Sequence, residues 1–410
     1  MKKLSIVLLA GLGGTAQANA FLLNEFDARA VGRGNATTAT ETNASAIFYN
    51  IGGLAVYDGT QATVGGSVIQ PSGSFTDTAG LKTSTTTSGQ AVPGVFGSTR
   101  LNDLVAVGVG FYTPFGLAVR WPEGTEPATV SQFVSLHTFF ITPSVGVNLG
   151  SYVPGLTVGG GIDLVPATIE LRRDVPFGTV LGSTHLGGNA FGFGGRIGAM
   201  YRPAWLKELS LGLMWRSEVK EDFTGNADFD APAPFRALLP PDGNATTSIS
   251  LPQSIHAGAA YRPFENLELE ADVIWTQWSE FHQLDIQVPT PANGTMTIPL
   301  PQNYQNETTV RIGIEWGVPT IRSAFRVGYI YDPTPIPPTT LTPLLPDITR
   351  NDLTIGGSYS LLDYTAHVGL LWVLPHNRTT SDTPNMPEVK GTYDVSAFVL
   401  SLSFSGKFGK

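Results

Sequence analysis

Residues 266–278 read NLELEADVIWTQW, and polar and apolar side chains alternate along them. The apolar residues are Leu267, Leu269, Ala271, Val273 and Trp275, and the acidic residues between them are Glu268, Glu270 and Asp272. Because successive side chains of a β-strand point to opposite faces, the stretch predicts a strand with one apolar face and one face of carboxylates. A soluble sandwich would place the apolar face on a protein core, whereas a membrane barrel would place it on lipid.

The same alternation recurs along the chain. Residues 209–215 (LSLGLMW), 325–331 (FRVGYIY) and 398–405 (FVLSLSFS) place large apolar side chains at every second position. Several stretches end in aromatic residues, as in the girdles of outer-membrane barrels: Trp215, Trp275, Trp316, Tyr331 and Trp372. One connection is tight, at residues 262–266, and others are long, at residues 230–247, 289–306 and 334–350. Short turns at one end and long loops at the other favour an all-β, transmembrane antiparallel β-barrel.

The composition agrees with a barrel. Charged residues make up 14 % of the chain, against roughly 25 % in an average soluble domain. There are 47 glycines, and beyond the N-terminus no apolar run reaches the roughly 20 residues that a membrane helix needs. A secreted all-β protein is the alternative. The absence of cysteine excludes a disulfide framework, a thiolate nucleophile and a cysteine-based metal site.

The first twenty residues, MKKLSIVLLAGLGGTAQANA, have the layout of a secretory signal peptide. Lys2 and Lys3 precede a short apolar run, and residues 18–20 (Ala-Asn-Ala) match a cleavage site. A buried N-terminal helix is the alternative. We expect residues 1–20 to be removed, which changes the formal charge from −9 to −11 because two lysines are lost. Such an acidic chain is a poor partner for nucleic acid.

The segment after the cleavage site does not alternate. Its run GRGNATTATETNASA (residues 32–46) is small and polar and can cap short helices. Leu22, Leu23 and Phe26 favour a plug folded into the barrel over a disordered tail, which has little use for apolar side chains. The predicted organisation is a signal peptide at 1–20, an N-terminal hatch at 21–58 and a transmembrane β-barrel at 59–410.

Several segments resemble the FadL/TodX family, outer-membrane channels for long-chain fatty acids and other hydrophobic compounds. The segments that carry the resemblance are FLLNEF (21–26), Gly32-Arg33-Gly34, Asn43-Ala44-Ser45, Asn50, YTPFGLA (112–118), WRSEVKEDFTG (215–225), YRPFENLELEADVIWTQWSEF (261–281) and the region 326–359. The resemblance runs nearly from Phe21 to Phe408. It implies a barrel of about 14 strands, plugged by a hatch that includes Leu22, Leu23, Phe26, Asn43 and Asn50. Family hatches usually carry Asn-Pro-Ala where this chain has Asn50-Ile51-Gly52.

The resemblance also implies a route. The ligand is captured by outer loops, moves to a lumenal pocket against the hatch, and leaves sideways through a gap at a kink in the third strand. That kink falls on Pro114, Phe115 and Gly116. The residues themselves agree, because proline lacks the ladder donor and glycine weakens strand pairing. On the residues alone, Pro114 could instead simply end a strand. We expect unmade ladder bonds at the kink and Phe115 partly sealing the gap.

Three arginines are candidate ligand-binding residues. The resemblance places the family's carboxylate-binding arginine at Arg172 or Arg173, with Arg173 the closer match. The position of the family's partner lysine falls in IPLPQN (298–303), which has no basic residue. An uncharged hydrocarbon therefore becomes a stronger candidate ligand, without displacing fatty acid. Arg216 is the third candidate.

Arg216 also fits a structural role. Continuing the alternation of residues 209–215 predicts that Arg216, Glu218, Lys220 and Asp222 line the lumen as a charge network on the wall. Glu268, Glu270 and Asp272 would be its acidic counterpart across a wet lumen. Arg216 therefore serves either that network or the ligand.

Other functions have little support in the sequence. No HExxH, GxSxG or phosphate-loop motif occurs, so we expect no enzyme activity and no cofactor or metal, although a barrel hydrolase with scattered residues is an alternative. A general diffusion porin for polar solutes is the other alternative, and it would lack a hatch. We expect a monomer in the outer membrane of a Gram-negative bacterium, in contact with its lipid, that takes up fatty acids or hydrocarbons.

Overall fold

The described structure is a closed antiparallel barrel. It is a computed structural model, and it describes residues 20–292, 294–381 and 389–409. The predicted signal peptide therefore lies outside the described residues, apart from Ala20. The first strand pairs with the last along its whole length, from Thr60 opposite Phe408 to Asp77 opposite Gly391, which closes the sheet. Fourteen strands span the barrel, and the predicted fold class is confirmed.

The elements are named here in chain order. The helices are α1 (Ala28–Gly32) and α2 (Ala46–Tyr49), with 3-10 helices at Ile51–Ala55, Pro127–Thr129, Arg236–Leu238, Trp278–Glu280 and Pro319–Ile321. The strands are β1 (Thr60–Asp77), β2 (Lys82–Ser84), β3 (Gln90–Arg100), β4 (Val105–Tyr112), β5 (Gly116–Arg120), β6 (Phe133–Thr138), β7 (Phe140–Asn148), β8 (Leu156–Phe177), β9 (Val180–Tyr201), β10 (Leu209–Arg216), β11 (Val219–Asp230), β12 (Gly243–Leu251), β13 (Ser254–Phe264), β14 (Leu267–Thr276), β15 (Gln283–Pro289), β16 (Thr295–Pro301), β17 (Glu307–Val318), β18 (Ser323–Asp332), β19 (Arg350–Leu361), β20 (Tyr364–Thr379) and β21 (Gly391–Phe408). Six spanning strands are broken into two halves: β4/β5, β6/β7, β10/β11, β12/β13, β14/β15 and β16/β17.

The alternation of β14 separates the two faces of the wall. Leu269 is 38 % exposed and Val273 is 48 % exposed on the outer face, where a membrane barrel meets lipid. Glu268, Glu270 and Asp272 are buried on the inner face. The predicted alternation of this strand is therefore correct, although its carboxylates meet the hatch and its arginines rather than open water.

The predicted lumenal network beyond Arg216 is wrong. The strand is interrupted between Arg216 and Val219, and the buried positions change from even to odd numbers across this break. Lys220 and Asp222 consequently point outward, where Lys220 Nζ lies 3.1 Å from an Asp222 carboxylate oxygen. Glu218 is also exposed. A side-chain period of two is kept only along an unbroken strand, so the break reverses every prediction beyond it.

Two stretches predicted as long loops contain strand. Gly243–Leu251 pairs with β11, and Thr295–Pro301 pairs with β15. β3, which pairs with β1 and β4, was not predicted from alternation, and its sequence QAVPGVFGSTR contains two glycines and a proline. Residues 333–349, between β18 and β19, do form a long connection without helix or strand.

We call residues 21–58 the hatch, and residues 21–55 of it lie inside the barrel. Between positions 20 and 55, every residue except Arg29 and Asn43 is buried. Asp27 begins α1 by accepting a hydrogen bond from the Arg29 N–H, and it also accepts one from the Ser403 hydroxyl of the wall. Asn50 caps the 3-10 helix Ile51–Ala55 through the Gly52 N–H. In the part of the chain that the structure describes, no helix is long and apolar enough to cross a membrane.

A ring of wall glycines allows the hatch backbone to touch the barrel. A Cβ on Gly212 would lie 2.0 Å from the Thr38 carbonyl oxygen, and one on Gly313 would lie 2.4 Å from that of Arg33. The inner-facing glycines that approach the hatch or its anchors in this way are Gly159, Gly198, Gly212, Gly258, Gly313, Gly328, Gly356 and Gly369, on eight different strands. Because any larger residue would collide with the plug, this ring explains part of the high glycine content.

Buried charges also fix the hatch to the wall. The Arg33 guanidinium donates to Glu268 at 2.7 Å and to Glu270 at 3.1 Å. Asp272 accepts hydrogen bonds from the backbone N–H groups of Thr37 and Thr38 at 2.8 and 3.0 Å. The carboxylate face of β14 is therefore the main polar anchor for the polar run that the sequence places at residues 32–46.

Candidate functional site

The third spanning strand breaks between β4 and β5, at the predicted kink. Pro114 and Phe115 lie in the gap between the two halves. The expected unmade ladder bonds are instead formed with the first hatch residues. Leu23 donates its backbone N–H to the Pro114 carbonyl oxygen at 2.7 Å, and Gly116 donates to the Phe21 carbonyl oxygen at 2.9 Å. β3 pairs with β1 and β4 but not with β5, and the start of the hatch covers the strand edge that this leaves open.

Phe115 points inward rather than out to lipid. It is 7 % exposed, and its ring centroid lies 6.1 Å from those of Phe21 and Phe140. Leu22 pairs with Phe115 in an isolated antiparallel bridge. A small cavity, which we call the kink cavity, lies here and is lined by Leu22, Pro114, Phe115, Phe140, Asp163, Arg196, Arg216, Ser217, Val219, Pro252, Ser254 and Thr276.

A second cavity, the inner cavity, lies on the other side of Phe21. Among the described residues its lining is almost entirely aliphatic and aromatic and contains no charged side chain: Phe21, Leu117, Val134, Leu136, Ile169, Leu171, Leu186, Gly187, Gly188, Phe223, Gly225, Ala245, Thr246, Thr247, Ile249, Phe281, Leu284, Ile286, Gln302, Tyr304, Leu344 and Leu345. Phe21 closes it toward the kink, with its ring 4.9 Å from Trp278 and 5.8 Å from Phe281. Apolar pockets with few polar groups are the usual form of a small-molecule site.

A third cavity, the outer cavity, lies near the C-terminal ends of β8 and β11 and the N-terminal end of β9. It shares Leu171, Leu186, Ile286, Gln302 and Leu344 with the inner cavity, so the two adjoin. Its remaining lining residues are Val130, Arg173, Thr184, Phe229, Ile298, Leu300, Pro301 and Thr342.

Of the two neighbouring arginine candidates, only Arg173 reaches this route. Its side chain lines the outer cavity and, among the described residues, no carboxylate pairs with it. Arg172 lies on the opposite face of β8 and lines none of the three cavities. There its guanidinium is 2.6 Å from the Glu170 carboxylate and its side chain is 46 % exposed.

Arg216 contacts the hatch and does not line either of the two large cavities. Its guanidinium donates to the Phe48 carbonyl oxygen at 2.6 Å and lies 4.1 Å from the centre of the Phe48 ring. It also lines the kink cavity, but neither the inner nor the outer one. Of the two roles that the sequence left open, these contacts favour the structural one.

The predicted hatch residues hold the plug at separate points. The Phe26 ring packs 4.6 Å from Phe48. The Asn43 amide donates to Asp27 at 3.2 Å. The Asn50 amide nitrogen donates to the carbonyl oxygens of Thr38 and Ala199, at 2.6 and 3.1 Å. A Cβ on Gly52 would lie 2.7 Å from Ala199, so the glycine here permits close contact with β9.

Sequence reasoning missed most of the cavity wall. Phe21, Trp278, Phe281 and Tyr304 form one aromatic cluster, with the Phe281 and Tyr304 centroids 5.0 Å apart. Trp278, Phe281 and Tyr304 lie within breaks of their spanning strands, where alternation no longer indicates which face a side chain occupies. The one available signal was the concentration of aromatic residues at 278–281. Within the described ranges, no cluster of His, Asp and Glu could hold a metal ion.

Comparisons with known proteins agree with this architecture. The chain is 23 % identical over 435 residues to the long-chain fatty acid transport protein of Salmonella typhi, which covers 98 % of this chain and 97 % of that protein. It is 24 % identical over 359 residues to a putative outer membrane protein of Neisseria meningitidis, covering 74 % of each. Among solved structures, the chain resembles in fold a Pseudomonas aeruginosa FadL homologue and the P. putida toluene transporter TodX. Their TM-scores are 0.82 and 0.78, at 18 % and 19 % identity, and each match covers 95 % of this chain and 100 % of the other.

The matching relatives are outer-membrane and transport proteins rather than enzymes, which confirms the predictions of location and of no enzyme activity. The family model described as outer membrane protein transport protein (OMPP1/FadL/TodX) matches residues 9–408, nearly the whole chain. The chain therefore belongs to the OMPP1/FadL/TodX family of outer-membrane transport proteins.

Proposed function

We propose that this protein takes up hydrophobic compounds by capture in the outer cavity, transfer to the inner cavity and sideways release into the bilayer at the strand kink. Fatty acids and hydrocarbons are the candidate cargo, in line with the names of a relative and of a structural neighbour. The uncharged lining of the inner cavity supports an apolar cargo, and Arg173 in the outer cavity supports capture of a carboxylate.

The observation that carries this proposal is the position of the first hatch residues. Phe21 lines the inner cavity, and Leu22 lines the kink cavity. The same two residues and Leu23 cover the open edge of the kinked strand. A displacement of residues 21–23 would therefore join the two cavities and uncover the strand edge in a single step.

The remainder of the hatch is anchored too firmly for that role. Residues 28–55 are held on many strands by the Arg33 ion pairs, by hydrogen bonds to Asp272 and Arg216, and by close contact with the glycine ring. Withdrawing the whole plug would separate buried charge pairs, each of which costs roughly 3–5 kcal/mol when one partner is lost. Moving three N-terminal residues breaks two backbone hydrogen bonds and three aromatic contacts but no buried charge pair, so the shorter displacement is favoured.

Sideways release also suits the cargo energetically. A hydrophobic compound that enters lipid keeps the favourable burial of its apolar surface, roughly 0.8 kcal/mol per methylene group. Release through the hatch into the aqueous periplasm would lose that stabilisation. The general diffusion porin is disfavoured because the hatch fills the cross-section of the barrel with buried residues.

A reversible crosslink tests the route. Leu22 and Phe115 form a narrow, non-hydrogen-bonded antiparallel pair, whose Cα atoms are typically about 4.5 Å apart, within the range that a disulfide spans. The chain has no native cysteine to interfere. In the double variant Leu22→Cys/Phe115→Cys, oxidation should abolish cellular uptake of radiolabelled toluene and laurate, and reduction should restore it.

The two single-cysteine variants, treated with the same oxidant, are the controls and should keep their uptake. Binding of toluene to the purified, oxidised double variant should persist, because the outer entrance is untouched. If the oxidised double variant takes up cargo as fast as its disulfide-free form, release by displacement of residues 21–23 is ruled out.

A further inference from the structure

Two polar residues of the inner cavity, Gln302 and Tyr304, have side-chain groups that are available to a ligand. The lining of this cavity includes the polar residues Thr246, Thr247, Gln302 and Tyr304 beside the apolar residues. The two threonine hydroxyls already have acceptors, since Thr246 donates to Gln287 and Thr247 to the Asp285 carbonyl oxygen. Gln302 and Tyr304 are the remaining candidates for contact with a ligand.

Tyr304 presents a phenol without a partner. The residue is 4 % exposed, and its ring is held between Phe281 at 5.0 Å and Trp278 at 5.9 Å. In the described part of the chain, no side chain or carbonyl group accepts a hydrogen bond from its hydroxyl. A buried tyrosine hydroxyl normally has such a partner, because leaving it unpaired costs free energy.

Gln302 presents an acceptor in the lining of the same cavity. Its backbone is fixed, since the N–H donates to the His282 carbonyl oxygen at 2.8 Å and the carbonyl accepts from the Thr340 hydroxyl at 2.5 Å. The side-chain Nε2 lies 3.4 Å from the Leu300 carbonyl oxygen, a long contact, and within the described ranges nothing donates to Oε1. Gln302 lines both large cavities, so a ligand passing from the outer to the inner cavity passes this amide.

A donor and an acceptor on one apolar wall fit a hydroxyl group. A ligand hydroxyl can accept from the Tyr304 phenol and donate to Gln302 Oε1, whereas a hydrocarbon can do neither. A carboxylate would bring a charge into a cavity without a charged side chain, which is unfavourable. We propose that the inner cavity selects uncharged hydroxylated hydrocarbons, such as phenols and long-chain alcohols, through Tyr304 and Gln302. This inference rests on the uptake function proposed above and names the class of compound that the inner cavity prefers.

Two compounds of equal shape test the inference. Binding of p-cresol and p-xylene to the purified protein in detergent is measured by calorimetry, and the ratio of the two dissociation constants is compared between variants. Tyr304→Phe and Gln302→Leu should each weaken p-cresol relative to p-xylene by about tenfold, the usual effect of one lost hydrogen bond in a buried site. Tyr331→Phe, on the lipid-facing side of β18, is the matched control and should leave the ratio unchanged.

A third probe separates the two residues. The carbonyl of 4-methylbenzaldehyde can accept a hydrogen bond but cannot donate one. Its affinity should fall in Tyr304→Phe and stay unchanged in Gln302→Leu.

The outcomes separate this inference from the proposed function. If p-xylene binds and neither variant changes the ratio, the hydroxyl preference is wrong while uptake of hydrophobic compounds stands. If neither p-cresol nor p-xylene binds the wild-type protein, both proposals fail. Weakening of both compounds to the same extent in both variants would assign Tyr304 and Gln302 to packing alone.

Discussion

Two neighbouring arginines show how a single step along a strand changes the chemistry of a side chain. Arg173 lines an apolar cavity without a carboxylate partner among the described residues, and Arg172 pairs with Glu170 on the outer face. An arginine whose donors are unpaired in a cavity is suited to bind a ligand carboxylate, because its guanidinium can form two parallel hydrogen bonds with it. An exposed surface ion pair contributes little.

The residue-scale prediction compares these two positions. Arg173→Met should weaken binding of laurate by about tenfold to a hundredfold, because a hydrogen bond to a charged group contributes roughly 1.5–3 kcal/mol. Binding of toluene should not change. Arg172→Met is the matched control and should affect neither ligand in a calorimetric titration. An equal loss of laurate affinity in both variants would show a nonspecific effect of positive charge and contradict the assignment of Arg173.

At the scale of elements, the hatch and the wall fit through small residues and paired charges. The hatch helices are short, of five and four residues, and such helices are not stable alone in water. They are held by tertiary contacts, which include the Asp27 cap, the Arg33 pairs and the direct approach of backbone to the wall glycines. The plug therefore depends on the barrel for its own structure.

The element-scale prediction targets the glycine ring. Gly212→Ala would put a methyl group 2.0 Å from the Thr38 carbonyl oxygen, so the hatch or β10 must shift. We expect a loss of about 1–3 kcal/mol, as for other overpacked sites, seen as a lower unfolding temperature in detergent. Gly97→Ala on β3, where nothing lies within 4 Å of the new Cβ, is the control and should melt like the wild type. Equal melting of Gly212→Ala and Gly97→Ala would mean that this contact does not hold the hatch.

For the whole molecule, a closed wall with an anchored plug separates this protein from an open pore. The barrel closes between β1 and β21, and the hatch fills its interior with buried residues. The outer face of the strands is apolar, as a lipid-facing surface requires. The buried hatch stands in the way of polar solutes, whereas the two adjoining large cavities offer hydrophobic compounds a largely apolar lining as far as Phe21.

The prediction at this scale concerns permeability. Liposomes that contain the wild-type protein should not swell in solutions of small sugars, whereas liposomes that contain a general porin should. Arg33→Met leaves the buried Glu270 without its arginine partner, which can cost roughly 3–5 kcal/mol, and removes one of three arginines at Glu268, so the hatch should loosen and sugars should enter. Asp222→Asn on the outer face is the control and should remain sealed. Swelling of liposomes with the wild-type protein would favour the porin.

The sequence by itself determined the features that depend on neighbouring residues. Alternation along 266–278 correctly placed Glu268 and Leu269 on opposite faces, because the period of two belongs to any unbroken strand. Pro114 and Gly116 indicated a break in the third strand for an equally local reason, the missing donor and the weak pairing. Together with the resemblance to a known family, these patterns were enough for the fold class and the position of the kink.

Only the tertiary structure decided the features that depend on distant partners. The break after Arg216 reversed the facing of Lys220 and Asp222, and no local pattern announces it. Phe21 lies more than 250 residues from Trp278 and Tyr304 in the sequence, yet they line or flank one cavity. The strand edge at Pro114 is satisfied by Leu23 rather than left open, because the closed barrel brings the hatch there. Alternation predicts which face a side chain occupies, but which residues meet across the lumen is set by strand register and barrel closure.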